Sequence, residues 1–388
     1  MYSVFDYGSM IADPRAEYYA EALRRTVRPG SVVVDLGAGT GIWSAFACTL
    51  GARRVYAIEP DDVIGVAIDM AAANGFDNRI TFLQRDSMKV AIDEPADVVV
   101  ADVRGVLPCA GTGLAAMIDA RRFLAPGGVL VPMRDTLWVS VVEAPGAHDA
   151  TVVPWESRVF GLDFGAARRA AVNVWRKARF APADLITPPA IWADLDYRDL
   201  SSPSVMGEVR LVADRPGLAH GLAVWFESDL TAGVRMSNRP GGRELIYGQA
   251  FFPWPSPVSV EAGDAIAVKM RATFSGAEYL FGWDSVVATP GAPEARARFA
   301  QSTFDGTPLS LARVRAQGGD AVVTPGPDSE IDRFVLNASD GVRSQRDVAA
   351  ALRERFPGRF ASDAEALARV VGVGRRAVAD GGQVVFPD

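Results

Sequence analysis

The chain has 388 residues, 49% apolar and 22% charged, with a formal net charge of −7 and a pI near 5.1. That length exceeds one ordinary core and predicts two or three domains, while the acidic balance excludes broad nucleic-acid binding, which needs clustered Lys and Arg. Two cysteines, Cys48 and Cys109, and two distant histidines, His148 and His220, leave no spacing for a zinc site, a Ser-His-Asp triad or a disulfide framework.

In chain order, residues 1–7 lack the charged and apolar regions of a signal peptide, and no apolar run reaches membrane-spanning length. These features predict a cytoplasmic, metal-independent protein with no membrane partner. Residues from about Pro14 to Arg28 carry apolar positions at helical spacing, stopped by Pro29-Gly30. Strands are expected at Val32–Leu36, Val55–Glu59, Ile80–Gln84, Asp97–Asp102 and Val129–Pro132, alternating with helices at Ile42–Leu50, Asp62–Asn74 and Leu114–Phe123. That alternation predicts an α/β fold whose parallel sheet is covered on both faces. A ligand then lies beyond the carboxyl ends of the strands, where Asp35, Glu59, Asp86 and Asp102 fall.

The run Val32-Val33-Val34-Asp35-Leu36-Gly37-Ala38-Gly39-Thr40-Gly41 is a strand entering a glycine turn, and Glu59 ends the next strand. Glycines admit a close ligand where a Cβ would collide, and a strand-end carboxylate accepts both ribose hydroxyls. A dinucleotide domain is the competing reading. Asp-Leu-Gly in place of a bare glycine, with no following Gly-Lys-Ser/Thr, argues against a phosphate cradle. The pattern resembles the first two motifs of class I S-adenosylmethionine (SAM) methyltransferases, which implies SAM as cofactor. The resemblance puts Gly37, Gly39 and Gly41 at the methionine part and ribose, Glu59 at the ribose hydroxyls, and Asp86 and Ser87 at the adenine amine.

Beyond Val141 strand-like runs dominate, at Ala190–Asp194, Met206–Ala213, His220–Ser228, Val234–Ser237, Gln249–Phe252, Ala265–Thr273 and Tyr279–Val287. Turn residues separate them, which predicts an antiparallel β-barrel or sandwich. Residues 291–330, rich in Pro, Gly and Ala, read as a linker with one or two short helices. From 331 onward, a strand at Phe334-Val335-Leu336, helices at Gln345–Phe356 and Asp363–Ala379 and a strand at Val384-Val385-Phe386 predict a small α/β winged-helix-like module. The expected division is 1–140 for the Rossmann-like SAM-binding domain, 141–290 for the barrel, 291–330 for the linker and 331–388 for the module.

Helix, SAM-binding sheet, then a barrel containing His220-Gly221-Leu222-Ala223-Val224-Trp225-Phe226 resembles the protein arginine methyltransferase family over about residues 5–287. Phe5-Asp6-Tyr7, Met10-Ile11-Ala12-Asp13 and Arg15 resemble its cofactor-closing segment. By that resemblance Arg15 pairs with the cofactor carboxylate and Tyr7 closes over the site. Gly161-Leu162-Asp163-Phe164 resembles the start of a dimerisation arm near 161–190, which implies a homodimer.

The substrate motifs depart from the family. Its acceptor loop carries two glutamates. Here Ala101-Asp102-Val103-Arg104-Gly105-Val106-Leu107-Pro108-Cys109-Ala110-Gly111 puts Asp102 at the first and Gly111 at the second, with Arg104 as a neighbouring cation. Leu245-Ile246-Tyr247 replaces a Thr-His-Trp segment. Asp102 is read as orienting or deprotonating an acceptor, and Arg104 as holding a carboxylate or phosphate, unless the two neutralise each other. Tyr247 and Trp254 are candidate linings of the acceptor pocket, and Tyr19 is expected in the core. The expectation is a SAM-dependent methyltransferase acting at N or O of a small molecule and not on protein arginine. Two alternatives stand beside it: a protein or peptide methyltransferase recruited through the C-terminal module, and a SAM-binding scaffold without turnover.

Overall fold

The computed structural model describes residues 3–156, 158–316, 318–322 and 324–378. Two compact units divide the chain, Met1–Pro308 and Leu309–Asp388.

The first unit opens with α1 (Val4–Ala12), capped by Ser3 in a reciprocal box with Asp6, and α2 (Arg15–Thr26). Five strands alternate with helices after them: β1 (Val32–Leu36), α3 (Ile42–Thr49), β2 (Arg54–Ile58), α4 (Ile64–Ala73), β3 (Ile80–Leu83), β4 (Ala96–Ala101), α5 (Gly113–Asp119) and β5 (Leu124–Val131). They form one parallel sheet in the order β3-β2-β1-β4-β5. All five residues of β1 are buried, as a central strand covered on both faces requires. The order reverses at β1, so its glycine turn and the end of β4 open on the same crevice.

β6 (Arg134–Val142), placed within the first domain by a boundary at 140, hydrogen-bonds instead into an antiparallel sheet. A helical excursion follows, with α6 (Pro145–Glu156) and α7 (Gly165–Ala171). The next elements are β7 (Arg176–Ala178), β8 (Ala190–Asp196), β9 (Val205–Val212), β10 (Gly217–Thr231), β11 (Val234–Ser237), β12 (Gln249–Val260), β13 (Ala265–Phe274), β14 (Tyr279–Ala288) and β15 (Ala297–Ser302). They build two sheets, β7-β12-β10-β6-β8 with β11 added on β10, and β15-β14-β13-β9. The sheets meet through aromatic rings. Trp254 of β12 donates to Ser285 Oγ of β14 at 3.0 Å, and the Trp283 and Phe252 rings lie 5.2 Å apart.

β15 falls inside the span read as a linker. Its sequence, Ala297-Arg298-Phe299-Ala300-Gln301-Ser302, has too few apolar residues to announce a strand. It is held by Phe299 against Trp254 and by the buried Gln301 amide, which donates to the Val172 and Pro253 carbonyls.

The second unit contains α8 (Leu311–Ala316), α9 (Pro327–Ala338), α10 (Gln345–Arg355) and α11 (Asp363–Val378). The strand expected at 334–336 is part of α9. Ile331, Val335 and Ala338 recur at helical spacing and pack on Val348, Leu352 and Val370. Ser362 caps α11 by accepting the Glu365 N–H at 3.2 Å, and the strand expected at 384–386 lies outside the described residues. No helix among the described residues is long and apolar enough to cross a membrane.

Candidate active site

The carboxyl ends of β1, β2 and β4 surround a cavity of about 560 Å³, lined by Tyr7, Arg15, Gly37, Glu59, Asp86, Ser87, Asp102 and Gly111, among others. The volume suits a nucleoside-sized ligand. Gly37 and Gly39 have φ of +71° and +54°, which favours glycine. A Cβ on Gly39 would stand 2.7 Å from the Tyr7 ring, and one on Gly37 equally close to Val103 Cγ1. Tyr7 of α1 therefore closes down on the glycine turn. Gly41 instead faces α4, where a Cβ would meet the Ala67 methyl at 2.8 Å.

Glu59 accepts the Gly39 N–H at 2.9 Å on one oxygen and the Asp61 N–H at 2.9 Å on the other. Each oxygen keeps a lone pair for a hydroxyl. Burial raises its pKa against those two hydrogen bonds. Asp86 accepts the Met88 N–H at 3.0 Å, which fixes the turn that presents Ser87 to the cavity. Asp35 differs from the expectation. It is 1% exposed and does not reach the ligand space; Oδ2 accepts both the N–H and the hydroxyl of Ser44 at 2.8 and 2.6 Å. Burial, opposed by the Ser44 hydrogen bonds, pushes its carboxyl up to about 7. Asp35 thus fastens the glycine turn to α3.

Asp102, at the end of β4, gathers three side chains. Arg15 Nη1 lies 3.0 Å from Asp102 Oδ2 and donates to the Tyr247 hydroxyl at 2.8 Å, and Tyr247 donates to Asp102 Oδ1 at 2.7 Å. Tyr19 donates to the Ala101 carbonyl at 3.0 Å, its hydroxyl 3.4 Å from Asp102 Oδ1. Burial is the largest influence on Arg15 and opposes its charge, but Asp102, Tyr247 and Tyr19 together outweigh it and keep the guanidinium charged. Burial, then Asp102, raises the Tyr247 phenol, so it remains a neutral donor.

Arg104 has a different partner from the one its sequence position suggested. Its guanidinium is 5% exposed, 3.0 Å from Asp135 Oδ1 of β6, and lies over the Phe226 ring. Tyr197 donates to the other Asp135 oxygen at 2.5 Å. Arg104 is therefore neither paired with Asp102 nor free to hold a substrate anion. Its charge is compensated by Asp135. Trp254, considered for the acceptor wall, is fully buried in the seam between the two antiparallel sheets. Asp135 and Tyr197 were not singled out in the sequence, because their proximity to Arg104 exists only after β6 and β8 pair. Among the described residues no cluster of metal-ligating side chains occurs.

Residues 17–130 match the profile of the ribosomal protein L11 methyltransferase (PrmA) family. A probable protein arginine N-methyltransferase 6 of Arabidopsis thaliana is 30% identical over 233 residues, covering 57% of this chain and 53% of that protein. The chain thus spans about half the length of this relative. Protein arginine N-methyltransferase 6 of Xenopus laevis is 29% identical over 275 residues, 65% of this chain and 78% of that one. The Trypanosoma brucei PRMT1 enzyme-prozyme complex, solved with AdoHcy, superposes with a TM-score of 0.69 at 23% identity, over 76% of this chain and 96% of that one. Arabidopsis thaliana protein arginine methyltransferase 10 gives 0.67 at 18% identity, over 77% and 97%. Relatives named for protein arginine methylation overturn the expectation of a small-molecule acceptor. In sequence and in fold, the chain resembles class I SAM-dependent methyltransferases and, among them, the protein arginine methyltransferase family.

Proposed function

We propose that this protein transfers a methyl group from SAM to the guanidinium of an arginine in a protein or peptide. The observation that carries the reading is Asp102, a half-buried residue on the cofactor cavity whose carboxylate already holds one guanidinium, that of Arg15. Bound there, SAM supplies the electrophilic methyl and its own leaving group. Gly37 and Gly39 admit it, Glu59 takes its ribose hydroxyls, Asp86 and Ser87 face its adenine, Arg15 takes its carboxylate and Tyr7 excludes water. Asp102 orients the acceptor by accepting its N–H groups and takes the proton released when the new N–C bond forms. Tyr247 supplies a neutral hydroxyl on the same wall. With Gly111 in place of a second carboxylate, the acceptor is held along one edge.

The excursion Pro145–Ala171 is assigned to self-association into a homodimer. It exposes Phe160 at 94% and Leu162 at 57%, apolar side chains that a second copy would cover. The two free, buried cysteines fit a reducing compartment such as the cytoplasm.

The test is transfer of radiolabelled methyl from SAM to arginine-rich peptides and to the same peptides with every arginine replaced by lysine. Label confined to the arginine peptides, and recovered as methylarginine after hydrolysis, is expected. Equal labelling of the lysine peptides, or label recovered on another residue, would remove the arginine reading.

A further inference from the structure

The segment that brings Tyr247 to Asp102 also lines a second, basic cavity. Resting on the arginine reading above, we infer that this cavity binds the carboxylate of an acidic residue a few positions from the methylated arginine.

The cavity, about 160 Å³, lies between the end of β7 and the segment from Asn238 to Gln249, and the guanidiniums of Arg179, Arg239 and Arg243 line it. Two of the three are already paired. Arg179 stands 3.0 Å from Glu244 and donates to the Leu245 carbonyl at 3.3 Å, while Arg243 holds both oxygens of Glu17 at 2.6 and 2.8 Å. Arg239 is exposed, and its guanidinium has no hydrogen bond or ion pair among the described residues. An unmatched cation is thus left at this cavity, in a chain whose net charge is −7.

Buried amides fix the cavity wall. Asn238 Oδ1 accepts the Phe226 N–H at 2.8 Å, and its Nδ2 donates to the Gly248 carbonyl at 2.5 Å and to the Val106 carbonyl of the acceptor loop at 3.3 Å. Gln249 accepts the Phe180 N–H at 2.9 Å and donates to the Asn238 carbonyl at 2.5 Å. The ordering cost of binding then falls mainly on the Arg239 side chain.

The two sites are close. Leu245 lines the basic cavity, and Tyr247, two residues on, donates to Asp102 at 2.7 Å. Two residues of chain span at most about 7 Å, so an extended peptide with its arginine at Asp102 brings a residue roughly two to four positions away to the cavity. A carboxylate there forms a fork-type pair with Arg239. The pairs of Arg179 and Arg243 are solvent-exposed and weak, so both cations add attraction at little cost. A further arginine at the same position is repelled, which makes the cavity a filter as well as a grip.

Initial rates of methyl transfer to two peptides of equal length test this. Each carries a single arginine, flanked three positions to either side by aspartate in one peptide and by asparagine in the other. Aspartate is expected to raise kcat/KM at least fivefold, through KM. Arg239→Gln is expected to bring the two peptides within twofold of each other, and Arg239→Glu to reverse the preference, with thermal melting of both variants close to wild type because the side chain is exposed. Equal use of the two peptides by wild type, or a preference for aspartate that survives Arg239→Glu, overturns the anion site and leaves the arginine acceptor intact. Transfer to neither peptide, with SAM bound, overturns the arginine acceptor and the anion site together.

Discussion

Arg104 and Asp135 form a buried ion pair that joins the loop after β4 to the first strand of the antiparallel sheet, with Tyr197 completing the carboxylate's contacts. Asp135 is fully buried, so neither charge has water to fall back on. Replacing one partner strands the other, a change that typically costs about 3–5 kcal/mol. Asp135→Asn and Arg104→Met are each expected to lower the unfolding free energy obtained from urea denaturation by that order, while the double variant loses less than the sum of the two. Additive losses would mean that the pair is not a unit.

Glu59 and Asp102 line one cavity, and their variants should separate binding from chemistry. Glu59→Gln is expected to weaken SAM by about tenfold, the scale of one charge-assisted hydrogen bond. Asp102→Asn is expected to hold SAM within a few-fold and to lose at least a hundredfold in methyl transfer, since proton acceptance in the transition state is worth about 10²–10⁴. Calorimetry and single-turnover transfer read the two effects. If Asp102→Asn retains wild-type turnover, Asp102 is not the acceptor's base.

Asp35 gives the protein a pH signature. Its carboxyl is lifted, mainly by burial, from 3.8 to about 7. Between those values the native state keeps a proton that the unfolded chain has released. This residue's contribution to stability is therefore greatest below pH 3.8 and is lost as pH rises towards about 7. Asp35→Asn has no proton to lose at that position. Denaturation curves of wild type and variant should diverge across that window and run parallel above it; parallel curves throughout would contradict the buried, proton-retaining carboxyl.

Phe160 adopts φ of +55° with its ring 94% exposed, a left-handed conformation that costs a bulky residue about 1–2 kcal/mol. Phe160→Gly is expected to leave the melting temperature unchanged or raised and to weaken self-association at least tenfold, as sedimentation velocity would measure. A variant that assembles like wild type would assign the dimer contact elsewhere.

The Rossmann-like half was legible because its signals are local: Val32–Leu36, the glycine turn and Glu59 lie within one βαβ unit. The acceptor end was not, because its partners are distant in sequence. Asp102 precedes Arg104 by one intervening residue, and nearness in the chain suggested a pair. The loop instead sends the two side chains apart, Asp102 towards Arg15 and Tyr247, Arg104 towards Asp135. Tyr247 was expected at the acceptor pocket, but its bond to Arg15 spans 232 positions and follows no periodicity. Phe334-Val335-Leu336 was misread for the opposite reason. Three adjacent apolar residues suit a strand, and only the partners at 331 and 338 reveal the helix.

The Asp13 carboxylate joins two segments far apart in the chain. One oxygen accepts the Arg15 N–H at 3.0 Å, and the other accepts the Ile246 N–H at 2.7 Å, one residue before Tyr247. The hinge between α1 and α2 is thereby stitched to the loop that carries the acceptor wall. Lifting α1 off the glycine turn therefore pulls on the segment that carries Tyr247, and the two are expected to move together.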